Sequence, residues 1–358
     1  MIPLWKVKRE LGRLGQQLQA IPEAVWEPFA QRFHDRDLQR GFPVTEGALP
    51  ERDKIAIVLC WQPGGLVASF LMMLDHLHSA GYAPFVVSNA PLSVADHDAL
   101  RPRAWRVMER PNFGYDFGGY RDGLAMLRRW EVVPKRVVIL NDSIWFPLWP
   151  GDRTLERMEA APFDVVGTIL RAGNGVSFLE SYFFSINGAV LADPGFRAFW
   201  DELGLTSNKY KVIRRGERGF GVALTHAGIS MGPLFSADHF LAGLAQADDA
   251  TLRTILRFAA HADRRIVTKA HDLAAEDPDA TWRTRADKFL RGVLDRAQFY
   301  STFPVGAAMI GYPVLKKSSE PVGIQWRAAF LRAVETGDIP PLVPDLVDEI
   351  AARTLTSL

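Results

Sequence analysis

The sequence predicts an α/β fold with a mostly parallel sheet, on three observations. From Lys54 onward short apolar runs alternate with stretches of helical periodicity. Each run passes into polar residues at its C-terminal end. Hydrophobic residues are 48% of the 358 and charged ones 23%, enough to cover a large sheet on both faces and too apolar for wholesale disorder.

Residues 1–50 read as helical and then loop-like, closing in the turn-rich Gly41–Pro50. Lys54–Cys60 is the first strand, followed by the turn Gln62-Pro-Gly-Gly65. A helix through Leu66, Phe70, Leu74 and Leu77 then stops at Gly81. Pro84–Ser88 is the second strand and runs into Asn89. The third, Trp105–Met108, ends near Asn112, and the fourth, Val137–Leu140, at Asn141. Phe163–Leu170 and Ser181–Ile186 read as strands flanking a loop, Arg171–Val176. Pro194–Leu203 is a short helix, Gly216-Glu217 opens another, and residues 236–298 are mainly helical. The segment 299–317 is aromatic and rich in Pro and Gly, and is expected to fold back on the core. Three units follow: 1–50, a core over 51–235, and a mainly helical 236–358.

In open parallel sheets ligands sit beyond the carboxyl ends of the strands, so those ends hold the candidate residues. The most informative is Asn112-Phe-Gly114-Tyr-Asp116-Phe-Gly118-Gly119-Tyr-Arg121-Asp122-Gly123, a Gly-rich, carboxylate-bearing turn between a strand and a helix. Glycines there let backbone N–H groups approach a ligand, and a helix start favours negative charge. Next comes Asn141-Asp142-Ser143 at the end of the fourth strand. Two adjacent strand ends bearing carboxylates suit a diphosphate. The alternative is that the glycines make tight turns and Asp116 caps the helix.

Composition excludes several functions. Basic and acidic residues number 42 and 41, which leaves no global field for nucleic acid. A single cysteine, Cys60, permits neither an intrachain disulfide nor a cysteine-rich zinc site, and its place in a strand marks it as a buried structural thiol. No apolar run spans a bilayer: Thr302–Leu315 is short and broken by Pro304 and Pro313. The N-terminus lacks the apolar segment of a secretion signal, so a soluble, cytoplasmic protein is expected. Trp5, Lys6, Lys8, Arg9 and Arg13 offer a peripheral contact with an anionic membrane, or form a solvated helix. His76 and His78, two apart on a helix, point to different faces and cannot share a metal.

Taken together, Asn112-x-Gly114-x-Asp116-x-Gly118, the strand ending Asn141-Asp142-Ser143 with Pro147-Leu148 after it, Gly216-Glu217, and Tyr312-Pro313 with Lys316 resemble the rhamnan-synthesis protein F family over roughly residues 54–317. That resemblance implies a glycosyltransferase of cell-surface polysaccharide assembly with a nucleotide-sugar-binding core of the GT-A type. It implies rhamnose transfer from dTDP-rhamnose to a growing glycan or lipid-linked glycan. The wider GT-A class ends its fourth strand in Asp-x-Asp, which holds Mg²⁺ or Mn²⁺. Here one carboxylate, Asp142, stands where two are expected, and it is the tentative metal ligand.

Loss of the diphosphate builds negative charge that something must meet. Candidates are the N–H groups of Gly118 and Gly119, and Arg121, Arg214, Arg215 and Lys316. Lys316 alternatively forms a solvated surface pair with Lys317. Glu217 is the expected base toward the acceptor hydroxyl, or else offsets the helix dipole. Asn112, Gly114, Asp116, Asn141, Asp142 and Ser143 complete the expected donor site. Trp145, Phe146, Trp149, Phe183 and Phe184 either stack an acceptor sugar or pack in the core. The rival readings are a nucleotide-sugar hydrolase and a glycan-assembly scaffold without catalysis.

Overall fold

A computed structural model describes residues 26–173 and 175–355. The chain is helical over 26–40, and eleven strands follow: β1 Val44–Glu46, β2 Lys54–Cys60, β3 Ala83–Ser88, β4 Arg106–Glu109, β5 Arg136–Asn141, β6 Ile144–Trp145, β7 Val165–Gly173, β8 Val176–Leu179, β9 Phe183–Asn187, β10 Met231–Phe235 and β11 Leu315–Lys316. Nine of them form one sheet in the order β1-β4-β3-β2-β5-β9-β7-β10, with β8 on the far side of the β7 hairpin. Pairing is parallel from β4 through β3 and β2 to β5, and again between β7 and β10. The strand β9 runs antiparallel between β5 and β7. This is the expected mostly parallel α/β sheet flanked by helices.

Side chains alternate along β2 and feed two cores. Ala56, Val58 and Cys60 face one layer, built with the helix Ala68–Ser79 and the C-terminal helices. Ile55, Ile57 and Leu59 face the other, built with Tyr115–Arg129, Pro194–Glu202 and Gly219–His226. Trp145, Phe146, Phe183 and Phe184 lie in these cores, with the Phe146 and Phe183 rings 4.7 Å apart, so packing is their role. Cys60 is a buried free thiol.

The tail returns to the sheet. β11 pairs antiparallel with β6, setting Lys316 opposite Ile144, and the Lys317 amide donates to the Ser143 carbonyl at 2.7 Å. Residues 315–317 thus lie immediately beside the end of β5.

Three sequence expectations change. Gly41–Pro50 contains a strand, β1, antiparallel to β4. The loop expected at Arg171–Val176 is mostly strand, because β7 pairs with β8 as far as Gly173↔Val176, with Gly175 at a left-handed φ of 75°. β10 carries Pro233, which in sequence argues against a strand; at a sheet edge the missing N–H costs no ladder bond. Among the described residues no helix is long and apolar enough to cross a membrane. The basic N-terminal positions Trp5 to Arg13 lie outside the described residues.

Candidate active site

Chain order reverses between β2 and β5, and there the crevice of an open α/β sheet forms. Register places Leu59 beside Asn141. The Asp142 amide donates to the Leu59 carbonyl at 3.0 Å, and the Trp61 amide donates back to Asp142 Oδ2 at 2.9 Å. From the same strand end, Asn141 Nδ2 donates to Asp116 Oδ2 at 2.9 Å. The two loops singled out in the sequence therefore meet. Burial first, then the charges of Asp142 and Glu217, push the Asp116 carboxyl up to about 6. Asn141 Oδ1 accepts from the Ser143 hydroxyl at 2.5 Å and from its amide at 3.2 Å, so the strand-end turn closes on itself.

The glycines work differently from the sequence expectation. Gly118 and Gly119 lie inside the helix Tyr115–Arg129, and the Gly118 amide donates to the Gly114 carbonyl at 2.9 Å. A Cβ at Gly118 would stand 2.2 Å from the Phe113 carbonyl oxygen, and one at Gly119 2.0 Å from Leu59 Cδ1. They are glycines because the helix touches the sheet and its own preceding loop. The amides without an intrahelical partner belong to Tyr115, Asp116 and Phe117. Gly114 supplies the turn itself, at φ 83° and with Leu205 where a side chain would go.

Below this turn lies a buried polar network that the sequence reading missed. Arg110 Nε donates to Asp122 Oδ2 at 2.6 Å, and His34 Nε2 lies 2.7 Å from the same oxygen. Arg110 also donates to Asn89 Oδ1 and to the Phe113 carbonyl, each at 2.5 Å, and Asn89 donates to Asn112 Oδ1 at 3.1 Å. Burial raises the Asp122 carboxyl, but Arg110 and His34 more than offset it and hold it below the ordinary range. Asn112 is thus tied to the brace of the loop. Arg121 lies apart from the strand ends: its Nη2 donates to Asp35 at 2.6 Å.

Glu217 does not open a helix. It sits in a π-helical turn, Ile213–Arg218, continuous with Lys209–Val212 before it and Gly219–His226 after it. The helix starts at Asn208, whose side chain accepts from the Tyr210 and Lys211 amides. Position 217 is therefore too far from an N-terminus to offset the dipole, which acts within the first turn, whereas π-bulges frequently mark functional sites. Glu217 accepts from the Ser181 hydroxyl at 2.6 Å.

Ser181 reaches this edge because β9 is antiparallel, so its beginning rather than its end meets the end of β5. Glu180, just before it, was also missed. Glu180 takes Lys316 Nζ at 2.6 Å, Arg171 Nε at 2.5 Å and the Tyr300 hydroxyl at 2.8 Å. Burial raises its carboxyl, but Lys316 and Arg171 outweigh that and leave it below the ordinary value. Lys316, Glu217, Glu180, Arg171 and Arg218 line one cavity of about 250 Å³. Lys316 is therefore no solvated surface pair with Lys317. Lys317 is itself buried, with Nζ 2.9 Å from Ser69 Oγ and 3.3 Å from Glu349.

Among the described residues no group of three His, Cys, Asp or Glu side chains could by itself hold a metal ion. The pair Asp116 and Asp142 suits instead a Mg²⁺-like cation that arrives with a diphosphate, since such ions use one or two carboxylates plus phosphate and water oxygens. Burial first, then the charge of Asp142, raises the Asp116 carboxyl, and a cation between the two would relieve both.

The family model described as Rhamnan synthesis protein F matches residues 85–252. An uncharacterized protein of Sinorhizobium fredii, y4gN, is 32% identical over 264 residues, spanning 72% of this chain and 68% of that protein. Among solved structures, the mannosyltransferase PcManGT from Pyrobaculum calidifontis in complex with GDP-Man and Mn²⁺ aligns over 95% of each chain, at 12% identity and a TM-score of 0.29, too slight a likeness to transfer any detail. By the family match and the extent of identity with y4gN, the chain belongs to the rhamnan synthesis protein F family.

Proposed function

We infer that the protein is a glycosyltransferase that moves a sugar from a nucleotide-sugar donor to a growing glycan or lipid-linked glycan. The observation that carries this reading is the hydrogen bond that ties the Asp116 loop to the Asn141-Asp142 strand end at the reversal point between β2 and β5, with Glu217 near enough for its charge to act on Asp116. Three carboxylates gathered where parallel strands end suit a reaction that parts a sugar from a diphosphate. The family name points to L-rhamnose, and so to dTDP-rhamnose as donor.

In this reading the donor diphosphate lies over the Tyr115–Phe117 amides at the helix start, where N–H groups and the dipole favour an anion. Asp116 and Asp142 face it and would hold Mg²⁺ or Mn²⁺, which would neutralise charge on the leaving group. Lys209, close enough to pull the Asp116 carboxyl down, contributes a cation from the chain itself. Glu217, oriented by Ser181, takes the proton of the acceptor hydroxyl as its oxygen bonds to the anomeric carbon. The bond from that carbon to the phosphate oxygen breaks, the nucleoside diphosphate leaves, and a β-linked donor gives inversion. Lys316 and Arg171, held in place by Glu180, line the side of the cavity next to Glu217.

The test is incubation of the purified full chain with a panel of nucleotide sugars and glycan acceptors, reading released nucleoside diphosphate and coupled product. One donor should be consumed only when acceptor is present. Consumption without acceptor would make the protein a hydrolase, and binding to no nucleotide sugar would end the reading.

A further inference from the structure

Two exposed surfaces beside the candidate site share a chemistry, rings and cations turned to solvent. On the helix 26–40, Trp26, Phe29 and Phe33 fall at spacings of three and four, which puts them on one stripe. They are 63%, 50% and 50% exposed, large fractions for such side chains. The Trp26 and Phe29 rings stack at 6.0 Å, and the Arg36 guanidinium lies 5.1 Å from the Phe33 ring centre. The second surface is the segment 209–218, Lys-Tyr-Lys-Val-Ile-Arg-Arg-Gly-Glu-Arg, with five cations against one carboxylate. Here Tyr210 and Ile213 are exposed, as are Lys209, Arg214 and Arg218.

The helix and the segment are fastened to each other. Glu27, on the helix, takes Lys211 Nζ at 2.7 Å and Arg215 Nη2 at 3.2 Å, and the Leu205 amide donates to Gln31 at 2.7 Å. Glu27 thus takes Lys211 and Arg215, while Arg214 is exposed and Lys209 and Arg218, exposed as well, stand at the edge of the candidate site. The whole chain has a net charge of only +1, so the excess of positive charge along 209–218 is local.

We propose that this face, the aromatic stripe of helix 26–40 with the basic segment 209–218, docks the protein on an anionic lipid bilayer. Amphipathic aromatic rings sit at the headgroup level, and arginines bury their stems while their heads meet lipid phosphates. Each cation near an anionic leaflet is worth about fivefold in affinity. Charge complementarity selects the occupant, since exposed rings beside a segment of five cations and one carboxylate match a surface both greasy and anionic. Docking there would place Glu217, on the same helical turn, next to the lipid plane. The surface stands independently of the donor and the reaction inferred above, because it is tested by binding alone.

The experiment is vesicle flotation of the full chain with phosphatidylcholine alone and with added phosphatidylglycerol, at low and high salt. Anionic vesicles should carry the protein up, neutral ones should not, and salt should weaken the effect. Two variants separate the parts: Trp26→Ser with Phe33→Ser, and Arg214→Glu with Ile213→Ser, each checked for an unchanged melting temperature. Each pair should lower the apparent affinity for anionic vesicles about tenfold or more. Failure of the wild type to float with anionic vesicles, or equal flotation of both variants, would overturn the proposal. A dimer in sedimentation that dissolves in the Trp26/Phe33 variant would do the same, by giving the stripe to a second copy of the chain.

Discussion

Asn141 Nδ2 donates to Asp116 Oδ2 across 2.9 Å, so a side chain from the end of β5 holds a carboxylate from the start of the preceding helix, Tyr115–Arg129. The bond fixes Asp116 beside Asp142 although their charges repel. Asp116→Asn should therefore stabilise the fold at neutral pH, by about 1 kcal/mol, while lowering turnover at least tenfold. The sign follows from the carboxyl being pushed up to about 6 from an ordinary 3.8. Above pH 6 the folded state bears the full cost of ionisation. As pH falls from 6 toward 4 the folded carboxyl protonates first, and the advantage of Asn should vanish. Thermal melts of both proteins across that range would show it.

Glu217→Gln should cut turnover by about 10²–10³ and leave donor affinity within a few-fold, since the base acts on the acceptor and not on the donor. Ser181→Ala removes the hydroxyl that aims Glu217 and should lower kcat about tenfold with KM little changed. Steady-state kinetics on the two variants separates base from support. A fall in donor affinity equal to the fall in kcat would assign Glu217 to donor binding.

Glu180 is a buried anion with cations on both sides. Replacing it with Gln leaves Lys316 and Arg171 unpaired and should cost about 3 kcal/mol at pH 7, read by chemical denaturation. Its carboxyl is held below the ordinary range, so this stabilisation is complete above the unfolded value near 4.5. It is lost as pH falls through the depressed folded value. Acid titration should bring wild type and Glu180→Gln together at the low end.

Gly118→Ala places a Cβ 2.2 Å from a backbone oxygen that has no rotamer to escape into. The loop from Arg110 to Gly114 must move, with an expected loss of about 1–3 kcal/mol. Donor affinity should fall alongside, because Asn112 and the Tyr115–Phe117 amides ride on that loop. Gly119→Ala clashes with the end of the Leu59 side chain rather than with backbone and should cost less. Melting temperature and donor titration on the pair would rank them.

How much of this was legible beforehand depends on sequence distance. The parallel half was readable because each strand is local and ends in its own polar residues: Lys54–Cys60 was placed to the residue, and Asp116 and Asp142 were marked by position alone. What escaped was non-local. Glu180 and Ser181 reach the site only because β9 runs backwards, a direction no short window carries. Arg110, Asp122 and His34 form one network across 88 residues of chain, and nothing near His34 announces it. Glu217 reads in the sequence as a helix start, because Gly216 looks like a break; the π turn absorbs that glycine instead, with Phe117 against it.

The most direct measurement is calorimetric titration of the full chain with nucleoside diphosphate sugars, dTDP-rhamnose among them, for wild type and the Asp116→Asn and Asp142→Asn variants. One donor should bind the wild type, and each substitution should weaken it at least tenfold while Glu217→Gln binds as before. A chain that binds none of them, or binds one equally well without Asp116 and Asp142, has its chemistry elsewhere.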